Sequence, residues 1–178
     1  MTALAITREV ERGTMENLMA MPAQPLEIMI GKIVPYIGFG FIQVALILVC
    51  ANLLFQVPMH GSFSLLLAGT LLFIAANVTL GYTFSTLART QMQAMQMTFF
   101  FFLPSILLSG FMFPFRGMPG WAQVIGEALP LTHFLRIVRA VMLKGAGFGD
   151  IFPNVWPIVV FWLAIATIAL IRYRRTLD

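Results

Sequence analysis

Charge is scarce in this sequence. Asp, Glu, Lys and Arg make up 10% of its 178 residues, and none falls between Ile33 and Ala88. Soluble domains carry about 25% charged and about 45–50% apolar residues. Here 60% are hydrophobic and the mean hydropathy is +0.90. A water-soluble core of this length could not hide that much apolar surface, so the expected solvent is lipid. Cys50 is the single cysteine and lies in an apolar run, which excludes an internal disulfide framework and a cysteine metal cluster. With only His60 and His133, no histidine metal site is expected.

Catalytic patterns are missing as well. Gly31-Lys32 is followed by Ile33 and has no glycine at the required upstream place, so there is no phosphate-binding loop and no ATP hydrolysis by the chain itself. Gly145, Gly147 and Gly149 follow a helical pattern and read as a plain loop. Ser109-Gly110 has no acid or base close in sequence. Neither histidine has a neighbouring carboxylate, and His133 reads as solvated. An intramembrane enzyme would need a nucleophile and base at mid-membrane depth, and none is found. An ion-driven transporter would be expected to carry ionisable groups within its spans, and these hold none. No catalytic residue, cofactor site or metal site is therefore expected. Met1–Ile6 has no basic leader and looks like the tail of something apolar, not a signal peptide.

What is present is an all-α membrane pattern in one domain, 1–178. A helix crossing lipid needs about 20 mostly apolar residues. Four stretches qualify: 33–55, 62–87, 94–113 and 151–171. In the first, Pro35 should bend the helix and Gly38 and Gly40 should admit a close neighbour. In the second, Asn77, Gly81 and Ser85 recur every four residues and end at Arg89, so they share a helix face. That face is either a packing seam or a substrate-lining wall, and packing is favoured. In the third, Pro104 should free the Phe100 carbonyl, and Ser105 and Ser109 could satisfy freed backbone groups or bond across helices.

Residues 114–150 differ. FPFRGMPGW reads as an interfacial turn. Pro119 opens a helix whose apolar stripe is Trp121, Val124, Ile125 and Ala128. Pro130 breaks it. A second helix places Leu131, Phe134, Leu135, Val138, Val141 and Met142 on one side, with Thr132, His133, Arg136, Arg139 and Lys144 on the other. Lys144-Gly145 stops it. The expectation is an interfacial or re-entrant pair followed by a flexible loop, 144–150.

The longest charged region is 8–35, and its first part, 8–21, holds Arg8, Glu9, Glu11, Arg12 and Glu16. Gly13-Thr14 can start a helix, with Glu16 in its first turn. Pro22 ends it, and Pro25 takes the first position of the next helix. It is either a solvated linking helix or a docking element. The net charge of +4 does not point to nucleic acid, because the basic residues flank apolar runs. With both termini cytoplasmic, Arg8, Arg12, Lys32, Arg89, Arg172, Arg174 and Arg175 fall inside, and Arg116, Arg136, Arg139 and Lys144 outside. That distribution obeys the positive-inside rule.

The stretches REVERGTMENLMAMP, LGYTFSTLARTQMQAMQ and LPSILLSGFMFPFRGMPGWAQVIGEALPLTHFLRIVRAVMLKGAG, in this order and spacing, resemble the membrane permease of bacterial type-2 ABC exporters across essentially the whole chain. The resemblance implies a subunit of an ATP-driven exporter in the inner membrane. It pairs with a second permease, as a homo- or heterodimer, and couples to a cytoplasmic ABC ATPase that binds ATP and Mg²⁺. It implies that 8–21 is a coupling helix with Glu9, Glu11, Gly13, Thr14 and Glu16 as docking positions. It also implies that 114–150 holds outward-facing re-entrant helices. Apolar, Met-rich walls suit an amphiphilic or apolar substrate, such as a drug or lipid. Family members usually have a further span and an outside domain earlier in the chain, so the expectation is a fragment, a split gene or a mis-called start. The alternative function is a non-transporting assembly module.

Overall fold

A computed structural model describes Thr7, residues 25–56 and residues 59–175. Among these residues six α-helices follow in order: α1 (Pro25–Phe55), α2 (Phe63–Leu87), α3 (Gln91–Leu108), α4 (Gly120–Ala128), α5 (Pro130–Lys144) and α6 (Phe148–Arg175). A 3-10 turn, Phe115–Gly117, precedes α4. The described residues contain no strand, and the all-α expectation holds.

The helix boundaries follow local chemistry. Pro25 begins α1, where a missing N–H costs nothing. Ser62 caps α2 in extended conformation. The Thr90 hydroxyl accepts from Gln93 N–H at the start of α3, and Gln93 Oε1 accepts from Arg89 N–H. Pro119 precedes α4 and Pro130 opens α5. Gly145 ends α5 in the left-handed region, φ 63°, which a side chain would strain. The expected loop 144–150 is shorter than anticipated, because α6 already begins at Phe148. Asp150 reaches back to accept from the Gly147 N–H at 3.0 Å, one half of a capping box.

Among the described residues, three helices are long and apolar enough to cross a membrane: Ile33–Leu54, Phe63–Leu87 and Phe148–Ile171. The stretch expected at 94–113 is helical over Gln91–Leu108 instead. Its 18 residues reach about 27 Å at 1.5 Å per residue, and it opens with Gln91, Gln93 and Gln96. Ser109 is its C-cap and Gly110 turns the chain at φ 80°.

Helix α2 is the axis of the molecule. It packs most extensively along α6, then against α1 and α5. Helix α5 lies along the first half of α2 in the opposite direction. Three contacts set this register: Val141 against Gly61, Ile137 against Gly69, and Phe134 stacked on Phe73 with ring centroids 4.1 Å apart. The end covered by α4 and α5 is termed distal. There the core gathers Leu66, Ala76, Ile137, Val141, Ile151 and Ile158. The α1–α2 turn is pinned to it by His60 N–H donating to Met142 O at 3.1 Å. Of the two glycines expected to admit a helix in α1, Gly40 does so against Ile74, while Gly38 faces open space.

Candidate functional site

Two polar constellations stand out in this apolar frame. The first runs along α2. Gly81 and Ser85 are buried, and Asn77 is half-buried with its amide donating to Phe73 O in the preceding turn. The seam includes residues that the four-residue spacing missed. Trp162 Nε1–H of α6 donates to Thr79 Oγ1 at 3.0 Å, and the Thr79 hydroxyl donates to Ala75 O. The Thr83 hydroxyl donates to Thr79 O and lies 3.5 Å from Ile165 O on α6. Thr79 and Thr83 share a face with Ala76 and Leu80, and that apolar company concealed them. A spacing search admitting threonine would have found them. Ser85 accepts from the Thr7 N–H at 3.1 Å, both residues being fully buried. Thr79, Thr83 and Ser85 thus meet groups elsewhere in the same chain, while Asn77 bonds within its own helix.

Ser105 and Ser109 of α3 are buried as well. Their hydroxyls donate to Phe101 O and Ile106 O, three or four residues back. Neither takes the Phe100 carbonyl that Pro104 frees, so that expectation is corrected. Ser109 accompanies a turn, which removes it from the third span as drawn from sequence.

The second constellation is the distal cap. Arg136 of α5 forks onto Glu127 of α4, with Nη1 and Nη2 at 2.9 and 2.6 Å from the two carboxylate oxygens. The guanidinium also lies over the Phe115 ring, 4.8 Å from its centroid. Its hydrogen bond holds Glu127 below the usual carboxylate range, against partial burial pulling the other way, with His133 adding to the lowering. Arg139 donates to Gly110 O at 3.1 Å, tying α5 to the turn after α3.

His133 requires a correction. Sequence placed it with Thr132 on a solvated face, yet their exposures are 6% and 1%. His133 Nε2 lies 2.8 Å from Glu127 O and must donate to it, while Nδ1 meets the Asn154 amide of α6 at 3.2 Å. A carboxylate is close after all, with Glu127 Oε2 3.8 Å from Nε2. Thr132 donates to Gly126 O at 2.6 Å. The inward stripe of α5 is therefore Pro130, His133, Ile137 and Val141.

Both cavities of note are apolar. One, of about 320 Å³, lies between α1, the start of α2 and Met142 of α5. The other is an open groove of about 400 Å³ between the end of α3 and the start of α4. No cluster of His, Cys, Asp or Glu among the described residues could hold a metal ion. The docking positions Glu9, Glu11, Gly13, Thr14 and Glu16 lie outside the described residues.

Comparison with known proteins fits this frame. The family profile for ABC-2 type transporter matches residues 1–143. Over 98% of its length the chain is 32% identical to the probable multidrug ABC transporter permease YbhR of Escherichia coli K12, covering 47% of that protein. Over 99% of its length it is 34% identical to the inner membrane transport permease YhhJ of the same organism, covering 48%. It is also 27% identical, over 91% of its length, to ABC transporter G family member 20 of Dictyostelium discoideum, covering 22%. The chain thus spans about half the length of the bacterial relatives it matches. No solved structure matches significantly.

Proposed function

Because this chain belongs to the ABC-2 type transporter family, we propose that it is a membrane-spanning permease subunit of an ATP-driven exporter. It sits in the bacterial inner membrane with both termini cytoplasmic and the distal cap outside. The observation that carries this reading is the family match over residues 1–143, joined to three apolar helices among the described residues that are long enough to cross a membrane. A separate cytoplasmic ATPase binds ATP and Mg²⁺ and docks on residues 8–21. A second permease subunit completes the path. ATP binding drives transport by favouring one arrangement of the permease over the other, which requires different ATPase affinity for the two arrangements. The multidrug names of the relatives and the apolar cavities support an amphiphilic or apolar substrate.

The test is affinity purification of the chain in detergent with its ATPase. Charge reversal at Glu11 and Glu16 is expected to abolish ATPase recovery while membrane insertion persists; unchanged recovery would sink the docking role. Because the chain covers about half of its bacterial relatives, a second reading is an assembly module that recruits the ATPase without moving substrate. ATP-dependent dye accumulation in vesicles holding only this chain and the ATPase supports the permease. ATPase recruitment without accumulation supports the module.

A further inference from the structure

The apolar stripe of α4 points away from the protein. Trp121, Val124 and Ile125 are 67%, 73% and 47% exposed, while the opposite face buries Ala122 and Gly126. Gly126 allows this: a Cβ there would meet Leu108 O at 2.6 Å, so the helix is pressed tightly onto the end of α3. Between them runs the open groove of about 400 Å³, lined by Leu107, Phe113, Pro114, Met118, Trp121 and Ala122. Phe111, Met112 and Phe113 continue the exposed apolar surface beside it.

The charge on this part of the chain is mostly positive. Residues 111–144 carry Arg116, Arg136, Arg139 and Lys144 against the single carboxylate Glu127. Glu127 is paired with Arg136 while still exposed, and Arg139 is engaged by Gly110 O. Arg116 is not itself part of the groove lining, but it falls in sequence between the lining residues Pro114 and Gly117, is exposed, and has no ion-pair partner among the described residues. A cation beside an apolar slot matches an amphiphile with an anionic head. We propose that the groove is a lipid site: it takes an acyl chain of an anionic phospholipid of the outer leaflet, whose phosphate meets Arg116. The stripe of α4 then lies in the headgroup boundary, with Trp121 at the depth where aromatic belts form.

This inference rests on the distal cap facing the outer leaflet, as proposed above. It is tested on the full chain in lipid nanodiscs, using phosphatidylglycerol or phosphatidylcholine with brominated acyl chains as quenchers. The contribution of Trp121 is the difference between the native chain and Trp121→Phe. Quenching of that difference signal is expected with both lipids. At equal mole fraction the glycerol lipid should be enriched about fivefold at the site, as one arginine at a membrane surface can support. Arg116→Gln should remove the preference while leaving quenching in place. Equal quenching by the two lipids in the native chain overturns the anionic site. No quenching overturns the lipid site altogether, and cross-linking of Trp121→Cys chains would then identify a second copy as the cover. A chain that fails to enter nanodiscs at all refutes the permease reading instead.

Discussion

Helices α1 and α2 are both long, apolar and uncharged between Ile33 and Leu87, yet they differ in what they touch. Half of α2's span is buried inside the protein, and none of α1's is. Apolarity does not separate them, because lipid solvates a leucine as well as a protein interior does. Side-chain size does. The buried residues of α2 are mostly small, Gly69, Thr70, Ala75, Ala76, Thr79, Gly81, Thr83 and Ser85, with Leu66, Leu80 and Tyr82 as the large ones among them. Small residues let backbones approach, and hydroxyls find carbonyls across or along the seam. Helix α1 turns Phe39, Ile42, Leu46, Leu53 and Leu54 outward, and meets α2 closely at Gly40.

The sharpest way to break this comparison is to enlarge a glycine on each helix. A Cβ at Gly69 would come within 3.1 Å of Ile137, which is fully buried, whereas one at Gly38 meets open space. Gly69→Leu is expected to destabilise by about 1–3 kcal/mol through overpacking. Gly38→Leu should be neutral or stabilising by up to about 1 kcal/mol through helix propensity. Thermal unfolding of the purified chain in detergent measures both. A large loss at Gly38 would show that the bare face of α1 is covered by another subunit.

A second test compares hydroxyls. Thr79 joins α2 to Trp162, while Thr167 is exposed on α6 and bonds only Leu163 O of its own helix. Thr79→Val should cost about 0.6–1.7 kcal/mol, the range of interhelical bonds in membrane proteins, and should shift Trp162 emission. Thr167→Val should leave both stability and emission unchanged. Equal effects at the two positions would deny the seam its special place.

The same contrast explains what the sequence could and could not reveal. Helix ends written in local chemistry were legible: Pro25, Ser62, Pro119, Pro130 and Gly145 all stand where the pattern put them. So was the buried face of Gly81 and Ser85, because spacing by four is itself local. The inward face of α5 was not legible. His133 turns in because Glu127 O and Asn154 are there to receive it, and Asn154 belongs to another helix. Polarity alone assigned it to water. The early start of α6 was hidden for a similar reason, since Gly147 and Gly149 suggested looseness while the Asp150 side chain supplies the cap. The end of the third stretch failed at Gly110, whose positive φ is paired with close packing against Phe115, a contact with no periodic signature.

The smallest predicted effect concerns the Glu127–Arg136 ion pair of the distal cap, where α4 is fastened by charge and not by size. Glu127 has its carboxyl lowered from 4.5, chiefly by the Arg136 fork. A carboxylate lowered on folding contributes stability above its unfolded value and loses it as pH falls through the lowered one. The native chain should therefore lose stability in acid below about 4.5 more steeply than Glu127→Gln, which has no proton to bind there. Both partners are partly solvated, so at neutral pH the difference between the two should stay within about 1 kcal/mol. Trp121 is suited to read it, since the helix it stands on is the element that the pair holds down. An acid transition of the same steepness in both proteins would mean that the packing of Gly126 against Leu108 and Phe115 fixes α4 unaided. The distal cap would then obey the rule of α2, in which close approach at a small residue sets position and charge merely decorates it.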